Sequence, residues 1–441
     1  MNEIIKQIKD ESDAFLGIGN KIYELSKKLF PLNRSITGNG VRQTLDVIRE
    51  ILPELKVYEV PTGTKVNDWV IPNEWNVKEA WIMTPDGQKI ADFSVNNLHL
   101  MGYSTPVDMK LSLIELQAHL HSLPNQPNAI PYVTSYYQEN WGFCIEHNQR
   151  SLLKAGTYHV YIDSTLKKGS LTYGELIIPG ATKKEIFIST YICHPSMANN
   201  EISGPCVTTY IAKWLTDKTN IKHTIRIIFI PETIGAISYL SKNIDDLKRY
   251  VVAGFNVTCI GDDRNYSYLP SRNGNTISDR AAVHVLKHID PAFKHYSFLE
   301  RGSDERQYCA PGVDLPMASI MRTKYGEYPE YHTSLDDLTV ISASGLEGGF
   351  QALRRAIEAI DHNLVPKTTV LCEPQMGRRG LRPTLSTKES FSSIHRDLMN
   401  LWVYSDGTRS LIDIAELINV PIWILMPMYL RLKDFDILKE V

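Results

Sequence analysis

Four apolar runs in this chain are each followed by an imidazole or a carboxylate. His194 follows Glu185–Cys193 and Glu232 follows Thr224–Ile230. Asp262 and Asp263 follow Val251–Ile260, and Tyr331-His332-Thr333 lies one loop beyond Leu315–Met321. If the runs are strands of a parallel sheet, these side chains meet at its carboxyl edge, where such sheets bind ligands. Two histidines and a carboxylate can hold Zn²⁺ with one position open and lower the pKa of a bound water. A further carboxylate can then take the proton. Taken singly, each residue is as ordinary as a cap or a surface group, and only their recurrence at four strand ends singles them out. Asp336-Asp337 reads as helix-dipole stabilisation.

Other chemistry-bearing residues fit less well. Arg34, Arg301 and Arg322 could grip a substrate carboxylate in a bidentate contact, with structural roles as the competing reading. His284 and His288 share a helical face but lack the Glu of a metalloprotease helix, so a solvated face is expected. His119-x-His121 reads as surface. No Gly-x-x-x-x-Gly-Lys phosphate loop and no Gly-x-Ser-x-Gly elbow occurs. Cys193 closes an apolar run and reads as core.

The elements that must position these groups alternate. Helix-like stretches at Gly204–Leu215, Ile234–Ile244, Ser278–His288 and about Gly345–His362 separate the four runs, an α/β layer pattern. The expected fold is a mostly parallel sheet flanked by helices, built from residues 1–60 and 166–370. Within 1–60, Ile18, Ile22, Leu25 and Leu29 mark one helix face, Val41, Leu45, Ile48 and Leu52 another, and Lys56–Val60 a strand. Residues 61–165 carry Trp69, Trp75, Trp81 and Trp141, scattered prolines and a hairpin around Pro85-Asp86-Gly87, which predicts an inserted β-rich domain. Residues 371–441 carry three short helical runs spaced as in a winged helix-turn-helix.

Composition removes several function classes. With 441 residues, 43% hydrophobic and 22% charged, the chain reads as a soluble globular protein. Net charge is −3, which disfavours a surface built for nucleic acid or an anionic membrane. No apolar run approaches a membrane span, and the charged N-terminus is no signal peptide. Six cysteines without Cys-x-x-Cys suggest reduced thiols and the cytoplasm. From Leu371 onward nine Lys/Arg balance nine Asp/Glu, and Pro421–Leu430 has no charge, so the tail is expected to pack on protein rather than read DNA.

At these residues the chain resembles the clan of cocatalytic zinc aminopeptidases and glutamate carboxypeptidases. The order His194, Asn200 before Ser203-Gly204, Glu232-Thr233-Ile234-Gly235, Thr258, Ser303-Asp304-Glu305 and Tyr331-His332-Thr333 follows that clan's motifs. It is similar, more closely, to an uncharacterised bacterial aminopeptidase-like family with an inserted β domain and a C-terminal winged helix. Phe30–Gly38 (FPLNRSITG) and Tyr191–Ser196 (YICHPS) carry that resemblance.

The resemblance implies a zinc-exopeptidase-like fold, Glu232 as general base, and His194 and His332 as metal ligands. It also exposes departures: Asn200, Thr233 and Thr258 stand where the clan has metal-binding carboxylates. Neutral groups cannot offset two dications. At most one zinc or similar divalent ion per chain is therefore expected, completed by Asp304, Glu232 or Glu201, with Asn200 at the former bridging position. Arg34, Arg301, Arg322 and Tyr331 are the expected substrate contacts. The implied activity is aminopeptidase-type hydrolysis of an amide bond in a peptide or N-acylated small molecule. The alternative is a catalytically silent scaffold that binds a ligand or partner. A homo-oligomer without nucleic-acid or membrane partners is expected.

Overall fold

The computed structural model describes residues 3, 4, 6, 7, 9, 15–382 and 393–441. Ile22, Leu25 and Leu29, at helical spacing, are buried and seat α1 (Ile18–Leu29) on the core. Val41, Leu45 and Ile48 do the same for α2 (Asn39–Arg49), which leads into β1 (Lys56–Pro61). Three long strands follow: β2 (Glu74–Met83), β3 (Val107–Ser112) and β4 (Thr157–Lys167). Then come β5 (Ser170–Ile178), β6 (Thr182–Tyr191), α3 (Ser203–Thr216), β7 (His223–Ile230), α4 (Ile234–Tyr250) and β8 (Val251–Asn256). α5 (Ile277–Ile289), β9 (Met317–Met321) and α6 (Ala343–Asp361) complete the α/β layer. The tail contributes α7 (Ser393–Tyr404), α8 (Leu411–Ile418) and α9 (Ile422–Asp434).

The central sheet has eight strands in the order β1, β5, β7, β6, β8, β9, Ser267–Leu269, Lys294–His295. β7, β6, β8 and β9 are parallel neighbours, as the alternating pattern predicts. β1 and β5 add an antiparallel edge, and Ser267–Leu269 runs antiparallel to β9. β5 escapes periodicity because both of its faces are covered, so it shows no alternation. β6 is the switch strand: the chain leaves it through α3 to β7 on one side and returns through α4 to β8 on the other. His194 and Glu232 therefore emerge beside each other, at the crevice where open sheets bind ligands.

Alternate residues of β6 serve the two faces. Ile186 and Ile188 join the core with α1, α3, α5 and α6; Phe187 and Tyr191 join the other with α4 and the 61–165 segment. α6 lies close over the loop after β8. A Cβ on Gly345 would stand 2.1 Å from the Gly261 carbonyl oxygen, so only glycine fits there.

Within 61–165, a four-stranded antiparallel sheet runs Lys89–Ile90, β2, β4, β3. Its hairpin turns at Thr84–Gln88, with Gly87 at φ 80°. In the tail, Pro366–Thr368 pairs antiparallel with Leu438–Glu440 beside the three helices. Among the described residues no single helix is long and apolar enough to cross a membrane; α8 and α9 pass that test only together, and they are bent by 118°.

The tail packs on its own chain, and here the reading of His284 needs correction. His284 is fully buried rather than solvated. Its Nε2 accepts the Ile422 N–H at 2.9 Å, capping α9, and its Nδ1–H donates to Glu416 of α8 at 2.5 Å. Lys287 also reaches Glu416, and Arg280 reaches Asp413. The His284 hydrogen bond, helped by Lys287, holds the Glu416 carboxyl down at about 2 against the pull of burial. A folded pKa below the ordinary 4.5 means that this contact stabilises docking above pH ~4.5 and loses that contribution as pH falls toward ~2.

His284→Ala should cost about 1–3 kcal/mol, the scale of unsatisfied buried groups. Hydrogen exchange should speed up in α8 and α9 while α6 stays protected. Lowering the pH of the parent chain from 4.5 toward 2 should reproduce the same pattern more weakly.

Candidate active site

Beyond the carboxyl edge lies a cleft of about 350 Å³ whose lining includes His194, Glu232, Thr233 and His332 from the α/β layer, with Trp69, Tyr132, Tyr136 and Tyr137 from the 61–165 segment. Three of the expected site residues thus share one cavity. His194 Nε2 faces Glu232 Oε2 at 3.7 Å, and the rings of His194 and His332 stand 5.6 Å apart. Tyr132 lies edge-on to both, at 5.3 and 5.2 Å.

The segment after β6 fixes His194. Its Nδ1 donates to Glu201 Oε2 at 2.9 Å, and Glu201 Oε1 receives the Nε–H of Arg34 at 3.1 Å. The same Nε–H reaches the His194 carbonyl at 2.9 Å, and Arg34 Nη1 donates to the Leu29 carbonyl at 2.7 Å. Burial pulls the His194 pKa down, but the Glu201 hydrogen bond and charge outweigh it, so the net shift is upward.

Two expectations change here. Arg34 is 1% exposed, with Nε and Nη1 on protein partners and Nη2 buried without one, and it is outside the cleft lining, so it is no substrate clamp. Glu201 lies on the Nδ1 side, away from the cleft, and orients His194 instead of ligating with it. Cys193, His194 and Glu201 do bring donor atoms within 4.8 Å of one another. The Arg34 guanidinium already supplies the cation there, and burial pushes the Cys193 thiol far up, so a metal at that point would meet like charge and an unwilling ligand.

Asn200 also departs from its expected role. It sits in a π-helical turn, Ala198–Ile202, that opens α3. The Tyr191 hydroxyl donates to Asn200 at 2.8 Å (carbonyl) and 3.0 Å (Oδ1) and contacts Thr258 Oγ1 at 2.5 Å. A phenol therefore ties together two of the positions where the clan has carboxylates, and Asn200 is not available as a ligand.

Asp336 belongs to this turn as well. Its carbonyl and both carboxylate oxygens accept the N–H groups of Ala198, Asn199 and Asn200 at 2.7 to 2.9 Å. It caps the turn that carries Glu201 rather than starting a helix of its own. Asp262 is likewise structural, accepting from Asn199 Nδ2 and Thr323.

Glu232 and Asp304 meet at the next strand end. Thr233 has φ 62°, an outlier for a β-branched residue, and its N–H donates to Asp304 Oδ1 at 2.7 Å. Burial raises the Glu232 carboxyl, with His194 and Arg306 opposing. Burial and the neighbouring Glu232 raise Asp304 further. Asp304 Oδ2 is buried with no hydrogen-bond partner. Arg306, absent from the sequence-based candidates, holds the Thr233 hydroxyl at 3.1 Å from the exposed rim.

His332 has φ 57° and is stacked face-on by Tyr331 at 3.9 Å. Burial and the neighbouring His194 hold it at about 3, so it is a neutral imidazole at pH 7. Tyr331 thus backs His332 rather than lining the cleft. Arg301 packs over Phe298 and Arg322 over Tyr266 at 3.9 Å, both outside the cleft lining. None of the three expected arginines reaches it.

The comparisons with known proteins follow this geometry. Residues 23–363 match a family described as a domain of unknown function, DUF4910, and residues 364–440 match a winged helix-turn-helix. The chain belongs to the DUF4910 family. A Clostridium acetobutylicum protein, provisionally named a polysaccharide biosynthesis protein with an aminopeptidase-like domain, is 43% identical over 422 residues, 94% of each chain. A crystal structure from the same organism, described provisionally as a peptidase, is 40% identical and covers both chains fully, with TM-score 0.90. A zinc aminopeptidase from Bacillus subtilis is 13% identical, covers 78% of this chain and 95% of its own, and has TM-score 0.55. That last likeness speaks for the fold alone: a large mixed sheet flanked by helices, aminopeptidase-like, to which this chain adds a winged helix.

Whether the residues suit one metal ion can be judged from the donors present. His332 makes no side-chain hydrogen bond among the described residues, His194 Nε2 points into the cleft, and two raised carboxylates carry one orphaned oxygen. Two imidazoles and a carboxylate are donor types that suit a divalent ion, although among the described residues these donor atoms do not all gather within 4.8 Å of one another. Asn200, tied to Tyr191, adds no carboxylate to them.

Arg34→Leu leaves Glu201 buried without its guanidinium, with only His194 beside it. It should destabilise the fold by about 3–5 kcal/mol in urea denaturation, the usual cost of breaking a buried pair. Arg34→Leu with Glu201→Leu should recover a large part of that loss.

Proposed function

We propose that this protein is a metal-dependent hydrolase of aminopeptidase type, cleaving an amide bond in a peptide or an N-acylated small molecule. One observation carries the reading: His194, His332 and Glu232 face a single cleft, with Asp304 and its unpartnered oxygen beside Glu232. His194 and His332 would hold one zinc or similar ion, with Asp304 as the carboxylate. Bound there, the ion would polarise the amide carbonyl and acidify water.

The remaining work falls to this chain's own groups. Glu232, its pKa raised by burial, accepts the water proton and returns it to the leaving nitrogen. Glu201 fixes the His194 tautomer so that Nε2 stays free for the cleft. Tyr132 and Tyr331 hold the imidazole planes. The name of the C. acetobutylicum relative supports placing the substrate among glycan precursors. The buried free cysteines support the cytoplasm. Burial of Ile422, Leu425 and Met428 against the chain itself supports a tail that does not read DNA.

A second reading, a silent binding scaffold, draws on the Tyr191–Asn200–Thr258 knot, which leaves no second metal site. Metal content separates the two. The hydrolase reading expects one ion per chain, lost in His194→Ala and Asp304→Asn; a metal-free parent chain without amide hydrolysis supports the scaffold.

Glu232→Gln should keep the ion while turnover falls about 10²–10⁴-fold, the worth of a general base. Loss of the ion in that variant would make Glu232 a ligand instead.

A further inference from the structure

The cleft has two unlike ends. The inner end carries the two imidazoles and the carboxylate: His194, His332 and Glu232. The outer end is a wall of Trp69, Tyr132, Tyr136 and Tyr137, whose polar groups are hydroxyls and one indole N–H. Trp69 and Tyr137 meet edge to face at 5.5 Å, Tyr137 is 56% exposed, and the hydroxyls of Tyr132 and Tyr136 touch at 2.7 Å.

This wall is fixed in place. The Tyr132 N–H donates to the His332 carbonyl, the Ser334 N–H to the Ile130 carbonyl, and Gly102 exchanges hydrogen bonds with Val133 and Ser135. The segment that carries the tyrosines is therefore stitched both to its own domain and to the loop that carries His332.

We propose that the wall is a stacking platform for a pyranose ring, and that the substrate is an N-acyl amino sugar. The inference rests on the hydrolase reading and names its substrate class. A sugar ring has C–H faces that lie on aromatic π surfaces, and edge hydroxyls that exchange hydrogen bonds with tyrosine and threonine hydroxyls. It is neutral, as this wall is. A peptide with a free terminus would need a spare carboxylate for its ammonium, yet Glu232 is the only carboxylate in the lining and is committed to the water. An extended peptide would also seek an open strand edge, whereas the tyrosine segment is loop. The short distance limits the reach. The Tyr132 ring packs edge-on against both imidazoles at just over 5 Å, so a ring held on this wall brings an amide on its own edge close to the histidines. A 2-acylamino sugar has that shape. Water adds to the acyl carbon, the C–N bond breaks, and the nitrogen takes the proton held by Glu232, giving a carboxylate and a free amino sugar.

The test uses the full chain with its metal. In Glu232→Gln, saturation-transfer NMR with the β-methyl glycoside of N-acetyl-D-glucosamine should mark the ring C–H protons, and the sugar should change tryptophan fluorescence. Trp69→Ala and Tyr137→Ala should each weaken binding about three- to ten-fold, the worth of an aromatic contact, while leaving metal content unchanged. Parent chain should release acetate and free amine in equal amounts.

Hydrolysis of aminoacyl amides without sugar binding would overturn the substrate class and leave the hydrolase reading standing. Sugar binding that needs Trp69, without hydrolysis of any amide, would uphold the platform and overturn the hydrolase reading. Binding indifferent to both aromatic variants, or no binding and no hydrolysis of either class, would overturn the inference.

Discussion

A buried guanidinium between two parts of the chain sets the geometry of the site. Arg34 and Glu201 are 1% and 0% exposed, so neither has water to satisfy it. Desolvation lowers the Arg34 pKa, and the Glu201 charge opposes that loss. Neither charge is tolerable alone. The pair therefore pins the loop between α1 and α2 to the start of α3, and His194, bonded to both partners, must occupy one position. An ion pair of this kind adds little net stability compared with apolar packing. What it adds is orientation: a histidine whose second nitrogen can face only the cleft. The rest of the Phe30–Gly38 motif serves the same end. Ile36 lines the cleft, the Thr37 hydroxyl meets that of Tyr103 at 2.6 Å, and Gly38 adopts φ 99° beneath Trp75, where a Cβ would lie 2.2 Å from a carbonyl oxygen.

Some of the backbone strain lies at the same edge. Thr233 and His332 both have positive φ, and Ala198–Ile202 is a π-helical turn. Such conformations cost about 1–3 kcal/mol each and persist where neighbours over-determine them. The neighbours are identifiable: Asp304 and Arg306 on Thr233, Tyr132 and Tyr331 on His332, and Asp336 on the turn. Thr233 and His332 both contribute side chains to the cleft, and the turn carries the Glu201 that orients His194. The fold spends local backbone energy where rigid placement of a reacting group is needed, which is how preorganised sites are built.

Much of the frame was legible in the chain because buried parallel strands are uninterrupted apolar runs, and these ended in His194 and Glu232. Two antiparallel strands were not, since Ser267–Leu269 is too brief and β5 too evenly buried for periodicity to register. Site residues divided along a similar line. His194, Glu232 and His332 stand at strand ends or in a marked loop, so topology alone brings them together. Arg34, Arg301 and Arg322 were read by residue type, and type does not say whether a guanidinium faces substrate or protein. The wall of Trp69, Tyr132, Tyr136 and Tyr137 was missed for another reason. The tryptophan enrichment of 61–165 is visible, but which aromatics face the cleft depends on the stitching of residues 130–136 to the His332 loop, a long-range contact with no local signal.

The Tyr191 hydroxyl completes the logic of the departures. In a site built for two dications, three extra carboxylates are stabilised by the metals; without the metals they would repel one another in a dry interior. Here Asn200, Thr233 and Thr258 are neutral, and a phenol from the switch strand bonds two of them, although Asn200 Nδ2 stays without a partner. The carboxylates that remain at this end of the site are Glu232, 3.7 Å from His194 Nε2, and Asp304 beside it, with Arg306 opposing them from the rim. Charge has thus been withdrawn from one half of the site and kept in the other. In one half the Asn200 carbonyl, its Oδ1 and the Thr258 hydroxyl gather on a phenol; in the other stand an imidazole without a side-chain hydrogen bond among the described residues and a carboxylate oxygen without a partner, and on that contrast the proposal of a single cation rests.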